Sequence, residues 1–313
     1  MRYNTYSEYL KNTYGQRVYK IPVNLPITCP KRDGTCGEGG CIFCSEVGAA
    51  FENLPSDMCV KEQIRQNIEY IGEKYKAEKY IVYFQNFTNT YMPLNDFKVY
   101  IDDSMTDGVV ELSISTRPDC IRDEYLEYLK EFADNNGINI TIELGLQTVN
   151  YHTLKKINRG HTLAEFIDAV LRIKKYGFMV CAHLILNLPW DNKDDVIENA
   201  KILSALNVDQ VKLHCLYILK DTPMADMYTA GNFEMGSYYD YVDIVIAFLE
   251  YLSPDVVIQR IIGRAKEEHT VFANYGTSWW KIKDNIDAEL DFRDTFQGAK
   301  CDYLNGRAVK KFF

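Results

Sequence analysis

The feature that most constrains the fold is a rhythm. Short β-branched and apolar runs alternate with stretches of helical period through most of the 313 residues. The runs begin RVYKIPV at Arg17, KYIVYFQ at Lys79, VVELSIS at Val109, INITIELGLQ at Ile138, FMVCAHLIL at Phe178 and VDQVKLHCLYIL at Val208. Helical patterns fill roughly 56–75, 95–105, 123–135, 162–176 and 192–206. Asn192 is suited to cap the last of these, with Asp194 and Asp195 in its first turn, and Asn136-Gly137 is suited to stop the third. Strands each followed by a helix predict an α/β protein with a parallel sheet, curved or closed into a partial (β/α)6 TIM-type barrel. A further short strand is expected at VVIQRI, followed by a polar, aromatic segment. With no Pro/Ser-rich linker, the expected division is a barrel over 1–253 and a packed C-terminal extension over 254–313.

Polar residues fall where these strands end. Gln85 and Asn86 close the second run, Ser115, Thr116 and Arg117 the third, and Gln147 the fourth. Asn187 follows the fifth, and Tyr217 and Lys220 the sixth. In parallel α/β folds the C-terminal strand ends build the active face. Solvated loops alone would also be polar, but five such clusters, with a cysteine-rich loop after the first run as a sixth, point to one cavity.

A thiol-rich loop, CPKRDGTCGEGGCIFC (29–44), follows the first run. It holds four of the nine cysteines, at Cys29, Cys36, Cys41 and Cys44. An odd cysteine count in a long chain does not suggest a secreted disulfide framework. The N-terminus has no apolar core of a signal peptide, and no apolar run reaches the ~20 residues of a membrane span. The expected location is therefore a reducing cytoplasm. Three readings of the loop stand: inert thiols, a four-thiolate zinc site, or a cluster on three thiolates with one iron open. Only Cys41 and Cys44 have the close spacing of a zinc knuckle, and a loop at the mouth of a barrel suits the cluster better.

The loop resembles that of radical S-adenosylmethionine (SAM) enzymes, and more narrowly the YhcC/YtqA-type family. The resemblance continues through YFQNFTNTYMP (83–93), SISTRPD (113–119), ELGLQT (143–148), NRGHT (158–162), HLILNLP (183–189), KLHCLYILKDTPM (212–224), QRIIG (259–263) and FQG (296–298). The same blocks resemble the radical SAM half of the Elongator catalytic subunit. The resemblance implies a [4Fe–4S] cluster on Cys29, Cys41 and Cys44, with Cys36 at a variable position. It also implies SAM on the open iron and a low-potential donor such as flavodoxin or ferredoxin.

By similarity to oxygen-independent coproporphyrinogen oxidase, Gln147 matches a ribose-binding glutamine and Arg159 an arginine near the methionyl part. Ser115 and His183 stand where that enzyme has acidic SAM contacts. Gln85, Arg117, Glu143 and Tyr217 complete the expected cofactor site. Glu143 has an equally plain reading as half of an ion pair inside the barrel. Arg260, Lys220 and His214 are the expected reaction-site residues, the two cations holding an anionic group. Arg264 replaces an acidic residue of the family pattern. Trp279 and Trp280 read first as helix packing and second as a stacking platform.

The resemblance points to the wobble uridine of tRNA and conversion of its 5-carboxymethylaminomethyl group to 5-aminomethyl. A small metabolite or peptide substrate is the alternative, and a non-catalytic zinc or cluster RNA-binding protein another. The net charge of −9 argues against broad phosphate binding, so recognition of an anticodon stem-loop would need a local basic rim. The basic stretches are LKKINRGH (154–161) and the tail RAVKKFF.

Overall fold

The computed structural model describes residues 2–45, 53–263 and 267–312, so Arg264 lies outside the described residues. Seven strands form one sheet: β1 (Val18–Val23), β2 (Lys79–Phe84), β3 (Val109–Thr116), β4 (Asn139–Gln147), β5 (Met179–Ile185), β6 (Gln210–His214) and β8 (Val257–Arg260), hydrogen-bonded in that order. The seventh member is the short VVIQRI strand. No described helix is long and apolar enough to cross a membrane.

The chain forms two compact units. One comprises residues 7–146 and 158–181. Within it β1, β2, β3 and β4 pair in parallel. Its helices are α2 (Val60–Tyr75), α3 (Leu94–Asp102), α4 (Asp123–Asn136) and α6 (Leu163–Lys175). A left-handed glycine, Gly137 (φ 63°), ends α4, as the Asn-Gly signal predicts. Thr162 and Glu165 form a capping box at the start of α6, so the turn before it enters the helix in a fixed direction.

Strands β3 and β4 are buried along nearly their whole length. A strand covered on both faces loses the alternation of a half-exposed one. Yet one face of each carries polar groups. Thr141 donates to Glu111 (2.7 Å), and so does the Tyr14 hydroxyl (2.7 Å). Ser113 donates to Glu143 (2.7 Å), which also pairs with Lys20. Burial raises the pKa of Glu111 above the ordinary carboxyl value, against the lowering effect of its two donors.

The other unit comprises residues 1–6, 147–157 and 182–313. In it β6 pairs in parallel with β8. Helix α9 (Tyr238–Tyr251) is largely apolar, α7 (Lys193–Ala205) buries Val196, Ala200 and Leu203, and α10 (Trp279–Phe292) buries Ile282, Ile286 and Leu290. Asn192 caps α7 by accepting from the amides of Asp194 and Asp195, as expected. The long run from Val208 does not continue as one strand. It ends at His214, because the Leu216 amide donates to the Asn187 side chain (2.6 Å) instead of to a neighbouring strand. Ile218–Leu219 then forms β7, antiparallel to β9 (Thr270–Phe272). Trp280 is 50% exposed and Trp279 partly so, which corrects the expectation that both pack within a helix interface.

Candidate active site

The thiol loop folds back on itself through its own amides. The Arg32 and Asp33 amides donate to the Cys29 carbonyl, Cys36 to Pro30, Gly40 to Lys31, and Cys44 to Cys41. Gly34, Gly37, Gly39 and Gly40 all hold positive φ, the left-handed conformation that a side chain disfavours. The result sorts the four cysteines. Cys29 and Cys41 are buried and Cys44 half-buried, whereas Cys36 is exposed. Burial raises the pKa of Cys44, and Cys41 and Cys29 add to the effect, while Arg32 and Arg159 oppose it. Three thiols thus share one environment, and Cys36 stands instead beside Tyr91.

Cationic side chains surround those thiols. The Nη1 of Arg159 lies 3.6 Å from Cys41 Sγ, its Nη2 donates to the Gly145 carbonyl (2.8 Å) and its Nε to His161 Nε2 (2.9 Å). Burial and the charges of Arg159 and Arg117 press the His161 pKa down to about 3, so its ring is neutral. Arg117, just past β3, is 2% exposed and grips Asp119 through Nε (2.9 Å) and Nη2 (2.7 Å). Burial works against its charge, but Asp119 and the nearby Cys29 and Cys41 outweigh it and raise the pKa. Arg32 stacks over Phe87 at 5.1 Å.

The turn before α6 clamps the loop. Asn158 adopts φ 53° and uses its whole amide. It accepts from Lys31 Nζ (2.8 Å) and donates to the carbonyls of Glu38 (2.8 Å) and Gly40 (2.7 Å), immediately before Cys41. Two residues on, a β-carbon at Gly160 would stand 2.7 Å from Lys31 Cδ and 3.3 Å from Arg117 Nη2, so only glycine (φ 86°) fits there. Sequence reasoning quoted this NRGH block but singled out only Arg159 as a site residue. Nothing in the local sequence says that Asn158 reaches carbonyls more than a hundred positions earlier.

The remaining expected residues of this unit divide. The Ser115 hydroxyl donates to Tyr83 (3.0 Å) at the end of its strand. Glu143 is buried lower in the strands, and its Oε1 takes both the Lys20 ammonium and the Ser113 hydroxyl. Gln85 follows β2, partly exposed.

In the second unit, His183 and His214 lie with ring centroids 5.4 Å apart. Arg260 sets Nη2 within 2.9 and 3.0 Å of the two His214 ring nitrogens. A β-carbon at Gly263 would approach both His214 and Arg260, at 3.6 and 3.7 Å. Lys220 is not drawn into this group: its Nζ donates to the Glu268 carbonyl (2.7 Å). Gln147 ends β4 in the left-handed region (φ 75°), and Tyr217 is partly buried. A tyrosine that the sequence did not flag, Tyr275, accepts a hydrogen bond at its hydroxyl from Asn187 (3.0 Å) and sits at φ 52°.

The donor set suits an iron–sulfur cluster. Three clustered thiols, a cationic collar and a buried guanidinium nitrogen without a partner among the described residues (Arg117 Nη1) are what a polyanionic group with one open iron requires. Comparison with known proteins agrees. Residues 34–203 match the radical SAM superfamily, and 208–291 match the radical SAM C-terminal domain. The chain is 36% identical to the uncharacterized protein YtqA of Bacillus subtilis, covering 95% of this chain and 92% of that one. It is 31% identical to the protein YhcC of Escherichia coli K12, covering 92% of each. Among solved structures, an archaeal Elp3 from Methanocaldococcus infernus superposes with a TM-score of 0.71 at 18% identity, over 95% of this chain and 68% of that one. That likeness extends the partial-barrel fold across the chain.

Proposed function

This chain belongs to the radical SAM superfamily, and we propose that it applies that chemistry to the wobble uridine of tRNA, converting 5-carboxymethylaminomethyl to 5-aminomethyl. Membership brings a [4Fe–4S] cluster and SAM, and with them the need for a low-potential one-electron donor. Bound together, the two cofactors supply a 5′-deoxyadenosyl radical able to take a hydrogen atom from carbon.

The observation that carries the reading is the set of three clustered thiols, Cys29, Cys41 and Cys44, held apart from Cys36. These three are assigned as cluster ligands. Arg159, with its three nitrogens occupied in fixed directions, orients the site beside Cys41. Gln147, Ser115, His183 and Tyr217 are assigned to SAM. Neutral His161 holds Arg159 without competing for its charge.

For the substrate, support comes from Arg260, whose Nη2 rests against the His214 ring nitrogens and whose guanidinium is suited to a carboxylate. The methylene between that carboxylate and the nitrogen would give a stabilised carbon radical, which makes it the position to lose hydrogen. The archaeal Elp3 likeness bears only on the fold.

Anaerobically prepared protein is expected to carry about four irons and four sulfides, as one cubane implies. Cys36→Ala should leave that content unchanged, and Cys41→Ala should abolish it. Reduced protein with SAM and carboxymethylaminomethyl-bearing tRNA should yield 5′-deoxyadenosine and aminomethyluridine together. Cofactor cleavage with an unaltered uridine would remove the tRNA assignment. One zinc per chain, lost in Cys36→Ala, would remove the cluster assignment as well.

A further inference from the structure

Arg117 and Arg159 stand beside the same thiols but differ in how their donors are used. Every nitrogen of Arg159 has a partner: His161, Gly145 and the Cys41 sulfur. Arg117 has spent Nε and Nη2 on Asp119, which locks the plane of its guanidinium. Its Nη1 is buried and has no hydrogen-bond partner among the described residues. The side chain is 2% exposed, so water does not reach that donor from the surface. A buried charged donor without an acceptor is unfavourable and marks a place where an acceptor is missing.

The surroundings say which kind of acceptor. Cys29 and Cys41 are the groups near Arg117 beyond Asp119. Gly160 packs its backbone closely against Lys31 and the guanidinium, where any side chain would clash. Chemistry that presents several weak, anionic acceptors beside two cysteine sulfurs is that of an iron–sulfur cluster.

We infer that Arg117 Nη1 donates a charge-assisted hydrogen bond to a sulfur of the cluster, and that Arg117 thereby sets the cluster's reduction potential. The inference rests on the cluster assignment above. Asp119 is part of the device, since its bidentate grip aims the free nitrogen and offsets some of the charge. One electron enters from the external low-potential donor and adds one negative charge to the cluster. A donor N–H and a positive charge beside the sulfur favour that reduced form. Arg117 is therefore a positioning and tuning residue.

The test is a redox titration of the reconstituted cluster followed by electron paramagnetic resonance, without SAM. Arg117→Met keeps the length of the chain and removes both donor and charge. At a fixed applied potential its reduced-to-oxidised ratio should fall about tenfold, a midpoint lower by about 59 mV for a one-electron couple. Arg117→Lys keeps the charge without the fork and should fall between the two. It also decides the matter if the methionine variant fails to hold iron. Cys36→Ala is the control and should not move. Wild-type midpoints in both Arg117 variants, at wild-type iron content, would overturn the inference. So would an unmoved midpoint with weakened SAM binding, which would give the donor to the SAM carboxylate. A wild-type protein that takes up no cluster would instead sink the functional reading itself.

Discussion

Asp191 shows how much a single buried carboxyl can matter. It follows the β5 loop, and burial is the largest influence on it, pushing its pKa up to about 6, with Asp195 adding to the rise. Thr148, Thr153 and Asn150 pull it down in part, yet neither carboxylate oxygen has a hydrogen bond of normal geometry among the described residues. The folded value is raised above the ordinary 3.8, so the folded state binds the proton more tightly. Its contribution to stability is complete below pH 3.8 and is lost as pH rises through 6. By pH 7 the deficit amounts to about 3 kcal/mol at most. Asp191→Asn should therefore gain on the wild type by about 1 kcal/mol between pH 5 and pH 7. Urea midpoints at the two pH values measure this, and a constant difference would contradict it. Such a group is hard to read in sequence, because WDN looks like a solvated loop.

At the scale of elements, β1 to β6 begin within two residues of the apolar runs that announce them. Parallel strands buried on both faces leave an unmistakable apolar block. The error came at the end of the sixth block, where Asn187 captures the Leu216 amide and breaks the strand. That contact joins positions 29 apart, and no local pattern carries it. The candidate site divides in the same manner. The family resemblance supplied the three expected thiols, Cys29, Cys41 and Cys44, which cysteine spacing alone left open, but neither supplied the clamp that shapes their loop. Asn158 holds the loop at two carbonyls next to Cys41, and Lys31 completes the clamp. Asn158→Ala removes these bonds without touching a thiol. Loss of the cluster to a chelator should accelerate about tenfold, and amides around 36–41 should exchange faster in the cluster-free protein. Hydrogen exchange separates this from general destabilisation, since α4 and the β2–β3 pairing should keep wild-type protection. Unchanged exchange in the loop would show that its own turns suffice.

For the whole molecule, charge restricts how an RNA substrate could be held. The sequence carries 35 basic and 44 acidic residues. Many of the basic side chains are committed: Arg65, Arg172 and Arg293 each bridge two carboxylates, and Arg2 does the same. Lys31, Arg117 and Arg159 belong to the thiol site. Acidic residues outnumber the basic ones, so no broad cationic face is expected, and recognition would fall on splayed bases and on a few local contacts. For unpaired RNA each neutralised phosphate contributes about −0.7 to the slope of log affinity against log salt. Two or three such contacts give a slope of about −2. A titration of tRNA binding between 50 and 200 mM salt should thus lose affinity by roughly tenfold to twentyfold, not by thousands. A slope of about −5 or steeper would require a basic face that this charge distribution does not provide. The anticodon stem-loop would then be the wrong part of the RNA on which to place the contact.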